Sequence, residues 1–132
     1  MRACLIAVTL LALAAPAAAK DVKVFVFVAP EGPEGFQTVP RTLADSAEDL
    51  RHAISGSPFN GLSLTKKRED AGLVVQVTRR EEVGNEMRVH VHVTPRDGVE
   101  VDLTGVSIHR WTESANEIAG QLRIWARAHP AK

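Results

Sequence analysis

Residues 73–94 read LVVQVTRREEVGNEMRVHVHVT, and this stretch decides the fold. Leu73, Val75 and Val77 alternate with Val74, Gln76 and Thr78. After the turn Val83-Gly84-Asn85, Val89, Val91 and Val93 alternate with Arg88, His90, His92 and Thr94. A period of two in β-branched residues predicts strands, because successive side chains of an extended chain point to opposite faces. Two such runs joined by a short glycine-containing turn predict an antiparallel pair.

Toward the carboxyl end, Pro95-Arg96-Asp97-Gly98 is a turn in which Pro sets φ and Gly accepts φ > 0. It leads into a further strand with Val99, Val101 and Leu103 inward. The apolar parity then slips to Val106 and Ile108 across Gly105, which predicts a bulge at Thr104-Gly105. Ser114 with Glu117 reads as a capping box for a last helix. Ala115, Ile118, Ala119, Leu122, Trp125 and Ala126 form its apolar stripe, with Gln121, Arg123 and Arg127 opposite. His129-Pro130 closes that helix, and Trp111 and Trp125 are read as core anchors bracketing it.

Toward the amino end, Asp70-Ala71-Gly72 leads into the central pair, and the charged run at residues 66–70 reads as a solvated turn. Residues 62–65 read as a short extended piece. A helical period runs from Thr42, with Leu43, Ala47, Leu50 and Ile54 on one face and Asp45, Glu48, Asp49 and Arg51 on the other. Thr42 and Asp45 form a capping pair, and Ser55-Gly56-Ser57-Pro58 is the stop. Residues 30–40, with three prolines and two glycines, form an irregular loop. Before it, Val22, Val24, Val26 and Val28 alternate with Lys23, Phe25, Phe27 and Ala29, which predicts the first strand. Because Phe25 and Phe27 make its second face apolar too, the strand is central, or its far face is covered by a loop or a partner. The predicted class is α+β: a two-layer βαβββα sandwich whose four-stranded mixed sheet carries two helices on one face.

Residues 1–19 read as an export signal. Arg2 is the positive n-region, residues 4–13 are an apolar stretch too short to span a bilayer, and Ala17-Ala18-Ala19 supplies the small residues of a cleavage site after Ala19. Taking these 19 from 132 residues leaves 113, residues 20–132, which suits one domain without a transmembrane segment. The chain has 16 basic and 16 acidic residues, and losing Arg2 leaves 15 against 16. That balance provides no field to attract nucleic acid. The single cysteine, Cys4, lies within the signal and ahead of the cleavage point, so the exported chain has no disulfide and no cysteine-held metal. The expected location is the periplasm or the medium.

The element order, with the segments VKVFVFVA (22–29), SAEDLRHAI (46–54) and EDAGLVVQVTRRE (69–81), resembles small exported bacterial proteins of unknown function. More distantly it resembles the amino-terminal domain of the Tol-Pal system's propeller protein and the curli-secretion lipoprotein group. In these an acidic-small-apolar step likewise enters a strand. The resemblance implies an envelope-associated module that works through its surfaces. It brings no catalytic motif, and the lipid-bearing cysteine of the lipoprotein group has no counterpart here.

The chemistry-bearing residues are few. His90 and His92, two apart on a strand, project from one face at a spacing that two ligands of one transition metal can use. Counting back from the turn at residues 95–98 places Glu100 and Asp102 opposite Thr94 and His92, which makes either acid the third ligand of a zinc-type site. Such a site needs three or four ligands, so the ordinary reading is cross-strand His to Asp pairing on a wet face. No G-x-S-x-G turn or phosphate loop occurs, which leaves enzymatic chemistry little to work with. The first functional reading is therefore a non-enzymatic binding module for an envelope protein or other periplasmic component, without cofactor, with Phe25, Phe27 and Phe36 as contact candidates. Metal binding through His90 and His92 is the alternative, and a small hydrolase-like enzyme the third.

Overall fold

The valines that alternate along residues 22–27 place their side chains on one face of strand β1 (Val22–Phe27). The computed structural model describes residues 21–56 and 61–129. The expected export signal and its cleavage point after Ala19 lie outside the described residues, as do Ser57, Pro58 and Pro130. Helix α1 (Arg41–Ser55), strand β2 (Leu62–Leu64), a 3-10 turn (Arg68–Asp70), strands β3 (Leu73–Val83), β4 (Glu86–Pro95) and β5 (Val101–Ser107), and helix α2 (Trp111–Ala128) follow.

The sheet has five strands in the order β2-β1-β3-β4-β5, one more than the sequence predicts. β1 runs parallel to both neighbours, and β3, β4 and β5 form the expected antiparallel meander. The added strand is the short extended piece. Leu62 is buried, the Val22 N–H donates to the Gly61 carbonyl at 2.9 Å, and the Thr65 N–H donates to the Val24 carbonyl at 3.0 Å. Three residues carry too little periodicity to be counted as a strand from sequence.

One core joins both helices to one sheet face. Val22, Val24, Val26, Leu73, Val75, Val77, Val89, Val91 and Val93 meet Leu43, Ala47, Leu50 and Ile54 of α1 and Ala115, Ile118, Ala119 and Leu122 of α2. The two layers therefore stand as the apolar stripes require. Trp111 and Trp125 sit at the margin of this core, half-buried, and not at its centre.

The bulge is in β3, not at Thr104-Gly105. Val77 pairs with Val91 and Arg79 with His90, so Thr78 is the extra residue, and its hydroxyl donates to the His90 carbonyl at 3.1 Å. Strand β5 keeps an unbroken register from Val101 to Ser107, leaving Val106 on the far face and Val99 in a loop, 89% exposed. Gly105 is buried because α2 crosses it closely: a Cβ there would collide with the Ser114 carbonyl oxygen and lie 2.8 Å from Ile118 Cγ1. The parity slip reflects a helix pressed onto backbone, which leaves no room for an apolar side chain.

Both capping assignments also change. α1 begins at Arg41, directly after Pro40, and no side chain caps it. α2 begins at Trp111, and Ser114 is buried one turn inside, its hydroxyl donating to the Met87 carbonyl at 2.7 Å. Ser107 fastens the start of α2 instead. Its oxygen accepts the His109 and Arg110 N–H groups at 3.1 and 3.3 Å and donates to Glu113 Oε2 at 2.7 Å. Nor is the polar side of α2 all solvated. Arg123 Nη2 donates to the Ala53 carbonyl in the last turn of α1, and Gln121 donates to the Thr104 carbonyl.

Candidate functional site

Among the described residues, strand alternation leaves the sheet's second face without a helix, and Phe25, Phe27, His90, His92 and Asp102 lie on it. The register sets Phe25 beside Val74, Phe27 beside Gln76, Gln76 beside His92, and His92 beside Asp102. The counting that put Asp102 opposite His92 is met by this register.

The two histidines take separate partners. His92 Nδ1 lies 2.7 Å from Asp102 Oδ1, and its Nε2 lies 3.4 Å from Glu100 Oε2. A carboxylate only accepts, so two of them beside one ring favour its charged, doubly protonated form. Its pKa is raised above the ordinary value, first by the hydrogen bond to Asp102. His90 Nε2 lies 3.0 Å from Glu81 Oε1, and its Nδ1 lies 3.0 Å from Thr104 Oγ1. The carboxylate accepts from an Nε2–H, and the threonine hydroxyl faces Nδ1, to which it can donate or from which it can accept.

Glu81 reaches His90 because of the Thr78 bulge. Past it, the phase of β3 reverses: Arg80 pairs with Val89 on the helix side and Glu81 with Arg88 on the open side. Glu81 also holds Arg79 Nη2 at 2.6 Å. The hydrogen bond from His90, and then the Arg79 charge, hold its carboxyl below the ordinary range. Arg80, turned inward, donates to the Thr42 carbonyl at 3.1 Å and to Ser46 Oγ at 3.3 Å, with its guanidinium 3.9 Å above the Trp111 ring. Burial pushes the nearby Asp49 carboxyl up, and the Arg80 charge pulls part of the way back.

Phe25 and Phe27 stack at 5.7 Å between centroids, and the Arg68 guanidinium lies 4.9 Å over Phe27. Beside them a half-open groove of about 410 Å³ is lined by Phe25, Val26, Arg51, Leu64, Thr65 and Lys66. Phe36 stands in the 31–38 loop, 79% exposed, and does not line the groove. The structure thus brings Phe25 and Phe27 together and leaves Phe36 apart from the groove. Glu81, Arg51 and Lys66 were missed from sequence. Glu81 depends on an unsignalled bulge, and the two cations look like ordinary surface charge until the strand edge beside them is known.

Among the described residues, no group of three or more His, Cys, Asp or Glu is gathered in a way that could hold a metal ion, and no helix is long and apolar enough to cross a membrane. Comparison with models of protein families and with curated proteins returned no match, and the resemblance to the Tol-Pal and curli-secretion proteins is not confirmed. Among solved structures the chain is similar to a variant PelC dodecamer from Paraburkholderia phytofirmans, with 14% identity, a TM-score of 0.43, and 81% of this chain and 87% of that chain covered.

Proposed function

We propose that this chain is a non-enzymatic binding module that works outside the cytoplasm and docks an envelope protein or other periplasmic component on the uncovered side of its sheet. The observation that carries the reading is the stacked Phe25–Phe27 pair on the face that no helix covers. Both rings are half-buried, and the aromatic area that remains open gains about 25 cal/mol per Å² when a partner covers it. The His-carboxylate pairs fit the same role, since they fix side chains on a flat surface, and neither histidine lines the groove.

A photo-crosslinking residue placed at Phe27 tests this reading in envelope extract, with Val99, the most exposed large apolar side chain among the described residues, as the control position. Support is one discrete adduct from position 27 that is missing from position 99. Equal labelling at both, or none at 27, overturns it. Mass spectrometry of the protein from its host tests export: an amino terminus at Lys20 supports it, and a chain retaining Met1 or Arg2 does not.

A second reading is metal binding through His90 and His92, which stand two apart on the same face of β4.

A further inference from the structure

The loop that carries Phe36 is stapled into one shape. Glu31 and Thr38 exchange main-chain hydrogen bonds of 2.8 Å each, and inside that bridge the Phe36 N–H donates to the Pro33 carbonyl at 2.9 Å. Gly32 and Gly35 take positive φ of 120° and 87°, and a Cβ on Gly32 would lie 2.8 Å from the Phe36 carbonyl oxygen. This shape holds the Phe36 ring out in water. A ring displayed from a fixed loop lowers the ordering cost that a contact must meet.

The groove beside Phe25 has the complementary character. Phe25, Val26 and Leu64 line it with carbon, and its volume of about 410 Å³ leaves room for an aromatic ring, since a cavity of about 150 Å³ already holds benzene. Its charged residues are the cations Arg51 and Lys66, and of these Arg51 is partly offset by Glu48 at 3.1 Å. The loop carries the opposite sign. Glu31 and Glu34 flank the approach to Phe36, and among the described residues neither carboxylate has an ion-pair partner.

Phe36 is three residues short of Val39, which lines a neighbouring hollow together with Phe25, Val26 and Arg51. Three residues reach about 11 Å at most, so ring and groove belong to one side of the molecule. A projection and a recess set side by side are met by a two-fold axis between them, about which each copy fills the other.

We infer that Phe36 of each copy seats in the Phe25–Leu64 groove of a second copy, with Glu34 meeting Lys66, so that two chains close into a dimer. This goes beyond the binding-module reading, which concerns a partner from the envelope. Two such rings with their grooves bury less than about 1,200 Å², the size of a transient contact, so the dissociation constant is expected at roughly 10 to 500 μM.

Sedimentation equilibrium of the mature chain, residues 20–132, from about 10 μM to 1 mM tests the inference. A monomer–dimer equilibrium is expected. Phe36→Ala, on an exposed loop residue, weakens it at least about tenfold. Glu34→Lys and Lys66→Glu each weaken it, and the two together restore it to within about threefold of the parent, because the swapped charges meet again. Amide spectra confirm that each variant is folded. A monomer throughout the range, a Phe36→Ala dimer as tight as the parent's, a double variant no tighter than its singles, or species beyond the dimer that grow with concentration overturns the inference. An adduct between position 27 and a different protein leaves the binding-module reading standing when the purified chain stays monomeric.

Discussion

His92 and Asp102 face each other across β4 and β5, with Nδ1 2.7 Å from Oδ1. The pair favours the charged imidazole, so the folded pKa lies above the ordinary 6.5. Its contribution to stability is complete below the unfolded-state value and is lost as pH rises through the folded one. NMR titration of the ring protons is expected to give a midpoint above 6.5 for His92 and to bring it down in Asp102→Asn. An unchanged midpoint in that variant would show that Asp102 does not hold the ring.

Glu81 has the opposite sign. Its carboxyl is held below the ordinary 4.5 by His90 and Arg79. The stabilisation is present above the unfolded-state value and disappears as pH falls through the folded one. Melting temperatures between neutral and strongly acidic pH are expected to fall less steeply in Glu81→Gln than in the parent. Parallel acid limbs would argue against the Glu81–His90 link.

Gly105→Ala tests the contact between α2 and β5. The added methyl meets the Ser114 backbone and Ile118, neither of which has an open direction to move, so the cost is expected at about 3 kcal/mol or more. Urea melts measure it, and a loss under about 0.5 kcal/mol would mean that α2 rides higher above the sheet.

Leu122 is 1% exposed within the core, and Leu122→Ala is expected to cost about 2 to 5 kcal/mol. Trp125 lies at the core margin and stacks on His129 at 4.3 Å between centroids, so Trp125→Ala is expected to fall below the roughly 3 to 5 kcal/mol of a fully buried tryptophan. Denaturant melts of the two variants decide whether the order of burial is right.

Metal binding at His90 and His92 would have to displace partners from both rings, since all four ring nitrogens already lie within 3.4 Å of Glu81, Thr104, Asp102 or Glu100. Added Zn²⁺ is expected to leave the melting temperature unchanged. A zinc-dependent rise that vanishes in the double variant His90→Ala with His92→Ala would favour the second reading, because a ligand at a hundred times its dissociation constant adds about 2.7 kcal/mol.

The meander, both helices and the face occupied by each histidine were legible because long runs such as Val89, Val91 and Val93 repeat the period of their element. The pairing of His92 with Asp102 followed from counting residues out of one turn. Strand β2 escaped because three residues hold barely one period. The capping assignments failed because Ser114 has the composition of a cap, yet serves as a buried donor to Met87, which only the crossing of α2 over β4 reveals. Gly105 misled for a related reason. An inward glycine looks like a slip in register when the object pressing on it is a helix backbone far along the chain.

Thr78 is one residue more than β4 has partners for. Removing it would leave Val77 opposite Val91, Arg79 opposite His90 and Arg80 opposite Val89 in plain alternation, so Arg80 would keep its place over Trp111 and Glu81 its place on the open face. Position 78 is therefore open to deletion as well as to substitution, and what is constrained there is the facing of Arg80 and Glu81, not the length of chain before them.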